Sequence, residues 1–153
     1  MRQLTYCLAA LLPLATACGT DGSAGDDADV VNCAMENADT FTAGLDKQGT
    51  LFDVKLMVAN PAPPNRGDND WVIHINTLSG AAPVTGATLQ VTPFMPKHQH
   101  GTPVDVEIVP GTAAGEYTLH RVNLWMPGVW ETTIETTTNA GTDAVVYRFC
   151  IPS

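Results

Sequence analysis

The sequence predicts an all-β domain, an antiparallel β-sandwich of about seven short strands. Three observations predict it. Apolar residues recur at every second position in successive runs from Leu51 onward. Turn residues, chiefly Pro, Gly and Asn, separate those runs at the spacing of a strand-rich fold. Long helical patterns are absent, while Thr, Val, Gly and Pro are plentiful, as pleated sheets and tight turns require.

Taken in order, Phe52, Val54, Leu56 and Val58 alternate, and the turn-rich Asn60 to Gly67 follows. Trp71, Ile73 and Ile75 alternate next, and Ser79-Gly80 turns the chain. Ala87, Leu89, Val91 and Met95 share a face, with Pro93 marking an edge or a strand end. Val104, Val106 and Ile108 form a short strand before Pro110-Gly111. Tyr117 and Leu119 begin another, which Val122 and Leu124 continue only if a bulge shifts the phase by one. Trp130, Thr132 and Ile134 come after Gly128, and Val145, Tyr147, Phe149 and Ile151 close the chain. These runs define a sandwich domain over 51–153.

Ahead of the sandwich, residues 1–17 read as an export signal. Met1-Arg2 is a short basic start, and Leu8 to Leu14 is an apolar run too short to span a bilayer. Leu14-Ala15-Thr16-Ala17-Cys18-Gly19 resembles a bacterial lipoprotein cleavage box, with Cys18 as the lipid-bearing residue. It departs from that pattern in having Ala15 where Leu is usual, and Ala15-Thr16-Ala17 also satisfies ordinary A-x-A cleavage. Lipid anchoring is the favoured expectation and plain secretion the alternative. Residues 18–29, Cys18 followed by Gly, Thr, Ser, Ala and Asp, read as a flexible acidic tether. Residues 30–50 form an N-terminal strap holding a short helical turn or an irregular segment.

Cysteine usage fits this plan. Cys7 leaves with the signal, and lipidation of Cys18 leaves Cys33 and Cys150 near the two ends of the mature chain. An oxidising compartment favours their pairing, with buried free thiols as the alternative. Neither has a partner at zinc-ligand spacing.

The net charge is −9, with 7 basic against 16 acidic residues. Nucleic-acid binding, which needs Lys and Arg to displace counterions, is not expected. Nor is attraction to an anionic membrane surface, so contact with the membrane is expected through the lipid alone. No serine lies in a Gly-x-Ser-x-Gly elbow, no phosphate-cradling loop precedes a helix, and Asp105 with Glu107 reads as a solvated strand face. A non-catalytic protein is expected.

Two stretches carry the candidate chemistry. One is Phe94-Met95-Pro96-Lys97-His98-Gln99-His100-Gly101, the other Leu124-Trp125-Met126-Pro127-Gly128-Val129-Trp130. Each joins Met-Pro to a glycine turn, and the first adds two histidines. Thioether with imidazole is the donor set of a soft or borderline ion such as copper, with Cu(I) favoured. In an extended segment His98 and His100 would lie on one side, because side chains repeat every second residue. The expected ligands are Met95, His98, His100 and Met126, provided the two loops meet at one end of the sandwich. The bland reading is that the methionines fill the core and the histidines are solvated. Met57 is expected to pack, and His74 and His120 to lie at the surface.

Residues from about Leu51 to Ile151 resemble the YtkA-like domain of bacterial exported and membrane-anchored proteins. The resemblance lies in the order of several pieces. Asn60-Pro61 and Pro63-Pro64 precede Asp70-Trp71, and Ala82-Pro83-Val84-Thr85-Gly86-Ala87 leads to Val91-Thr92-Pro93-Phe94-Met95-Pro96. His98-Gln99-His100-Gly101-Thr102 and Gly115-Glu116-Tyr117-Thr118 then lead to Asn123 through Glu131. The resemblance implies an immunoglobulin-like sandwich. Its association with copper-handling and oxidase-assembly proteins implies copper delivery or sensing, with a copper-handling or membrane protein as partner. The expectation is therefore an extracytoplasmic lipoprotein that binds copper. The alternative is a structural or interaction module that docks a partner through the Trp125/Trp130 region or an open sheet edge.

Overall fold

The computed structural model describes residues 30–153. The export signal, the tether and Cys18 lie outside the described residues. Within them, nine strands form two antiparallel sheets. They are β1 (Leu45–Gln48), β2 (Phe52–Asn60), β3 (Gly67–Thr77), β4 (Thr88–Met95), β5 (His100–Gly101), β6 (Glu107–Pro110), β7 (Glu116–Leu124), β8 (Gly128–Thr138) and β9 (Gly141–Ile151). One sheet runs β1-β2-β3-β7-β6 and the other β5-β4-β8-β9. The two strands beyond the expected number are β1 and β5, too short to show an alternation.

The alternating residues build the core. Trp71, Ile73 and Ile75 of β3 are fully buried, as are Trp130 and Ile134 of β8 and Tyr147 and Ile151 of β9. Trp71 meets Tyr147 and Phe149 of the facing sheet edge-on, with ring centroids 6.1 and 5.6 Å apart. Such geometry adds to burial because a ring edge and a ring face carry opposite partial charge. The Tyr147 hydroxyl donates to the Val54 carbonyl at 2.7 Å. Burial, reinforced by the Asp46 and Asp53 carboxylates, pushes its pKa far above the ordinary phenol value.

Two bulges adjust the phase. The one expected in β7 lies at His120-Arg121, where Asn69 pairs with Val122 but Trp71 pairs with Leu119. Arg121 takes φ +59°, and Asp70 accepts from its backbone N–H at 3.3 Å. This lets Tyr117, Leu119, Val122 and Leu124 all face inward. The second bulge, in β2, overturns an expectation. Leu56 pairs with Ile73 but Val58 with Val72, so Met57 is the extra residue. Val58 is thereby turned outward and Ala59 takes the buried place. Met57 does not pack inside either; it is exposed.

Pro93 sits inside β4, opposite Thr132, rather than at its end. Only Phe94 and Met95 pair with β5, so the outer side of β4 at Pro93 is a sheet edge, where a residue without an N–H is tolerated. Val104 lies in a bend and Val106 ahead of the strand, and the ladder begins at Glu107. The strap lies along β9. Its 3₁₀ turn spans Cys33–Met35, and Cys33 is disulfide-bonded to Cys150. Asp39 donates its N–H to the Arg148 carbonyl at 2.6 Å and accepts from the Arg148 N–H at 2.8 Å. The strap thus covers the edge of the second sheet, which would otherwise present unpaired backbone groups.

Candidate metal centre

Strand direction decides which residues share an end. β4 ends at Met95, β7 ends at Leu124, and β8 begins at Gly128. Because β4 and β7 each run antiparallel to their sheet neighbours, both deliver their C-termini to the pole where β8 starts. The β4–β5 turn and the β7–β8 loop therefore meet there. Met95, His98 and Met126 line one cavity of about 370 Å³, with Lys97, Arg66 and Glu36 among the other lining residues. The size is that of a small-ligand site.

Each side chain is placed by a local cause. Met95 is the last residue of β4 and is buried, paired with His100. Gly128 faces it. At φ +128° this position suits glycine, and a Cβ there would lie 3.0 Å from the Met95 Cε. Met126 is half-buried. Its carbonyl accepts from the Trp130 indole N–H at 2.9 Å, which ties the β7–β8 loop to a core residue.

The two histidines do not sit on an extended segment, contrary to the sequence expectation. Residues 96–99 form a turn in which Gln99 takes φ +55° and its amide donates to the Pro96 carbonyl. The turn nevertheless brings the rings together edge to face, with centroids 5.8 Å apart. An imidazole bound at a metal–nitrogen distance of about 2.0–2.1 Å has its centroid roughly 3.2 Å from the ion, so two such centroids sit at most roughly 6.4 Å apart. The observed separation is within reach of one shared ion.

His98 is exposed and His100 half-buried. His100 is not among the residues lining the cavity. It lies between two tryptophans, stacked on Trp125 at 5.2 Å and edge-on to Trp130 at 6.0 Å. Trp130 is core and Trp125 is 41% exposed, so the pair does not form a single exposed patch. The sequence marks Trp125 only as a docking anchor and does not mark Arg66, whose Nε donates to the Trp125 carbonyl at 2.9 Å. For Trp125 the available signal is its adjacency to Met126-Pro127. Nothing local signals Arg66, which reaches the site from the β2–β3 loop.

The remaining histidines lie elsewhere. His120 stands 3.1 Å from Asp70 at the β7 bulge, and His74 lies on β3, where it pairs with Glu116. Among the described residues, no group of three or more His, Cys, Asp or Glu could hold a metal ion. The donors that do converge at this pole, thioether sulfur with imidazole, suit soft ions rather than calcium or magnesium. The donor set fits Cu(I).

A family model described as YtkA-like matches residues 46–135, a span that contains both loops. Neither a curated protein nor a solved structure matches the chain.

Proposed function

The chain belongs to the YtkA-like family, and on that footing we propose that it is a non-catalytic, extracytoplasmic domain that takes up one copper ion as Cu(I). Met95, His98, His100 and Met126 are the ligands in this reading. One observation carries it: two loops remote in sequence converge so that two thioethers and an imidazole line a single cavity, with a second imidazole beside the first. The cargo is held for delivery to, or sensing on behalf of, a copper-handling or membrane protein partner. Lipid attached to Cys18 tethers the domain to the membrane.

Anaerobic titration of Cu(I) into the wild-type chain and the His98→Ala/His100→Ala variant tests the reading. Saturation at one ion per chain in the wild type, lost in the variant, is the expected result. Equal weak uptake by both sinks the site. Binding is expected to weaken on acidification, because protons compete with the ion for imidazole nitrogen.

The exposure of Trp125 favours one second reading, a partner-docking surface at the same pole. Its signature is partner capture that survives both chelation and loss of the two histidines.

A further inference from the structure

Building on the copper reading, we propose that Trp125 is the positioning residue of the site, holding His100 so that Nε2 is the ring nitrogen offered to the ion. The His100 Nδ1 lies 2.9 Å from the Gly101 carbonyl oxygen. A carbonyl only accepts, so Nδ1 carries the proton and the lone pair of the neutral ring is on Nε2. One hydrogen bond to the next residue leaves the ring free to swing; the two indoles remove that freedom. Trp130 is fully buried and anchored by its bond to the Met126 carbonyl. Trp125 closes the other side of the ring, stacked at an interplanar angle of 27°.

Trp125 is itself fixed at both ends. Arg66 holds its carbonyl, and its indole N–H points to the Gly101 carbonyl at 3.5 Å, the same oxygen that His100 uses. One acceptor on β5 thus serves both rings, and the Trp125 indole is the donor that joins the β7–β8 loop to it. Packing alone does not account for the placement. Trp71 and Trp130 are fully buried, whereas Trp125 leaves 41% of its surface in water and covers a histidine. His98 has no comparable ring stacked on it among the described residues, so the two imidazoles differ: one is pre-set and the other is open to arriving ions. The Gly101 carbonyl on the second nitrogen sets the tautomer of a ligating histidine, and Trp125 keeps the ring against that carbonyl.

The test uses the full chain labelled with ¹⁵N, as wild type, Trp125→Ala and Trp125→Phe. Ring-nitrogen shifts are read first without metal, at a pH where the imidazoles are neutral, and Cu(I) is then titrated against a competing chelator. His100 is expected to carry its proton on Nδ1 in the wild type and in Trp125→Phe. In Trp125→Ala the proton moves wholly or partly to Nε2, and Cu(I) affinity falls about tenfold. An unchanged tautomer in Trp125→Ala overturns the proposal, as does a changed tautomer with unchanged affinity. A wild-type chain that takes up no Cu(I) overturns the copper reading itself, and with it the role of His100 as a ligand. That failure is distinguishable, because the tautomer is read before copper is added. Exposure of Trp125 makes loss of folding an unexpected result for either variant, and amide dispersion in the same spectra checks it.

Discussion

The two poles of the sandwich are finished in opposite ways. At the far pole, a carboxylate is consumed by the fold. The Asp143 carboxylate accepts from the backbone N–H groups of Thr50, Leu51 and Phe52 at 2.8, 2.8 and 3.1 Å, and from the Thr50 hydroxyl. It fills the space beside Gly49, where any Cβ would overlap it. A wider hollow of about 510 Å³ also lies at that pole, but threonines and small residues dominate its lining, with neither thioether nor imidazole. At the near pole, sulfur and ring nitrogen face a cavity. The lesson is that cavity size does not locate chemistry. What distinguishes the near pole is that its donors are left over after the backbone has been satisfied.

The largest expected effect comes from the disulfide, which closes a sequence separation of 117 residues beside the near pole. On the chain-entropy model, replacing both Cys33 and Cys150 by Ser costs about 4–5 kcal/mol of stability. Denaturant melts of the variant against the oxidised wild type measure this. A loss below about 1 kcal/mol would mean that the strap is held chiefly by Asp39 and its bonds to β9.

Next comes Asp143→Ala, which strips the far pole of its shared acceptor and costs about 2 kcal/mol. Its pH dependence has a definite sign. Burial pushes the Asp143 pKa up, but the N–H groups of Leu51 and Phe52 and the Thr50 hydroxyl outweigh it and hold the pKa below the ordinary carboxylate value. A depressed folded-state pKa contributes stability that is fully present above the unfolded value and is lost as pH falls through the folded one. The gap between wild type and variant should therefore be constant near neutrality and shrink below about pH 4. A gap that widens with acid would reverse the assignment. Cu(I) binding should be unaffected, because the site lies at the other end of every strand involved.

The contrast between poles also explains what could be read from the sequence. Core strands announce themselves because alternation is a local property: Trp71, Ile73 and Ile75, or Tyr147, Phe149 and Ile151, need no partner to be recognised. The β7 bulge is legible because a phase slip between Leu119 and Val122 has one simple cause. The β2 bulge is not, since Met57 and Val58 are both apolar and the slip leaves the pattern intact. The candidate ligand types are legible as Met-Pro and His-x-His pairs, but their geometry is not. The left-handed Gln99 and the Trp125 stack arise from a turn and a loop meeting in space, which no local pattern encodes. Arg66 is the clearest case, as its role depends wholly on where the β2–β3 loop comes to rest.

A smaller effect is expected from Gly128→Ala. Its φ of +128° is unfavourable for a residue with a Cβ, and the strain should cost about 1–2 kcal/mol. The new methyl also presses on the end of Met95, a flexible group that can move aside. The change should therefore disturb Cu(I) affinity out of proportion to its effect on stability. Thermal unfolding and Cu(I) titration of the same preparation compare the two. Wild-type affinity with the expected loss of stability would remove Met95 from the ligand set.

The smallest stability effect sharpens the comparison most. Met126→Leu and Met57→Leu remove the same atom from a half-buried loop position and an exposed sheet position. Leucine conserves volume closely enough that each should stay within about 0.5 kcal/mol of wild type. If sulfur matters only where it faces the cavity, Met126→Leu weakens Cu(I) binding by about tenfold, worth about 1.4 kcal/mol, and Met57→Leu leaves it unchanged. Equal losses would show that copper is collected by exposed thioethers wherever they occur. No loss in either would leave His98 and His100 to bind without Met126, and the meeting of the two loops would then serve Trp125 and His100 rather than sulfur. Each pattern assigns the near pole a different chemistry while the fold beneath it stays the same.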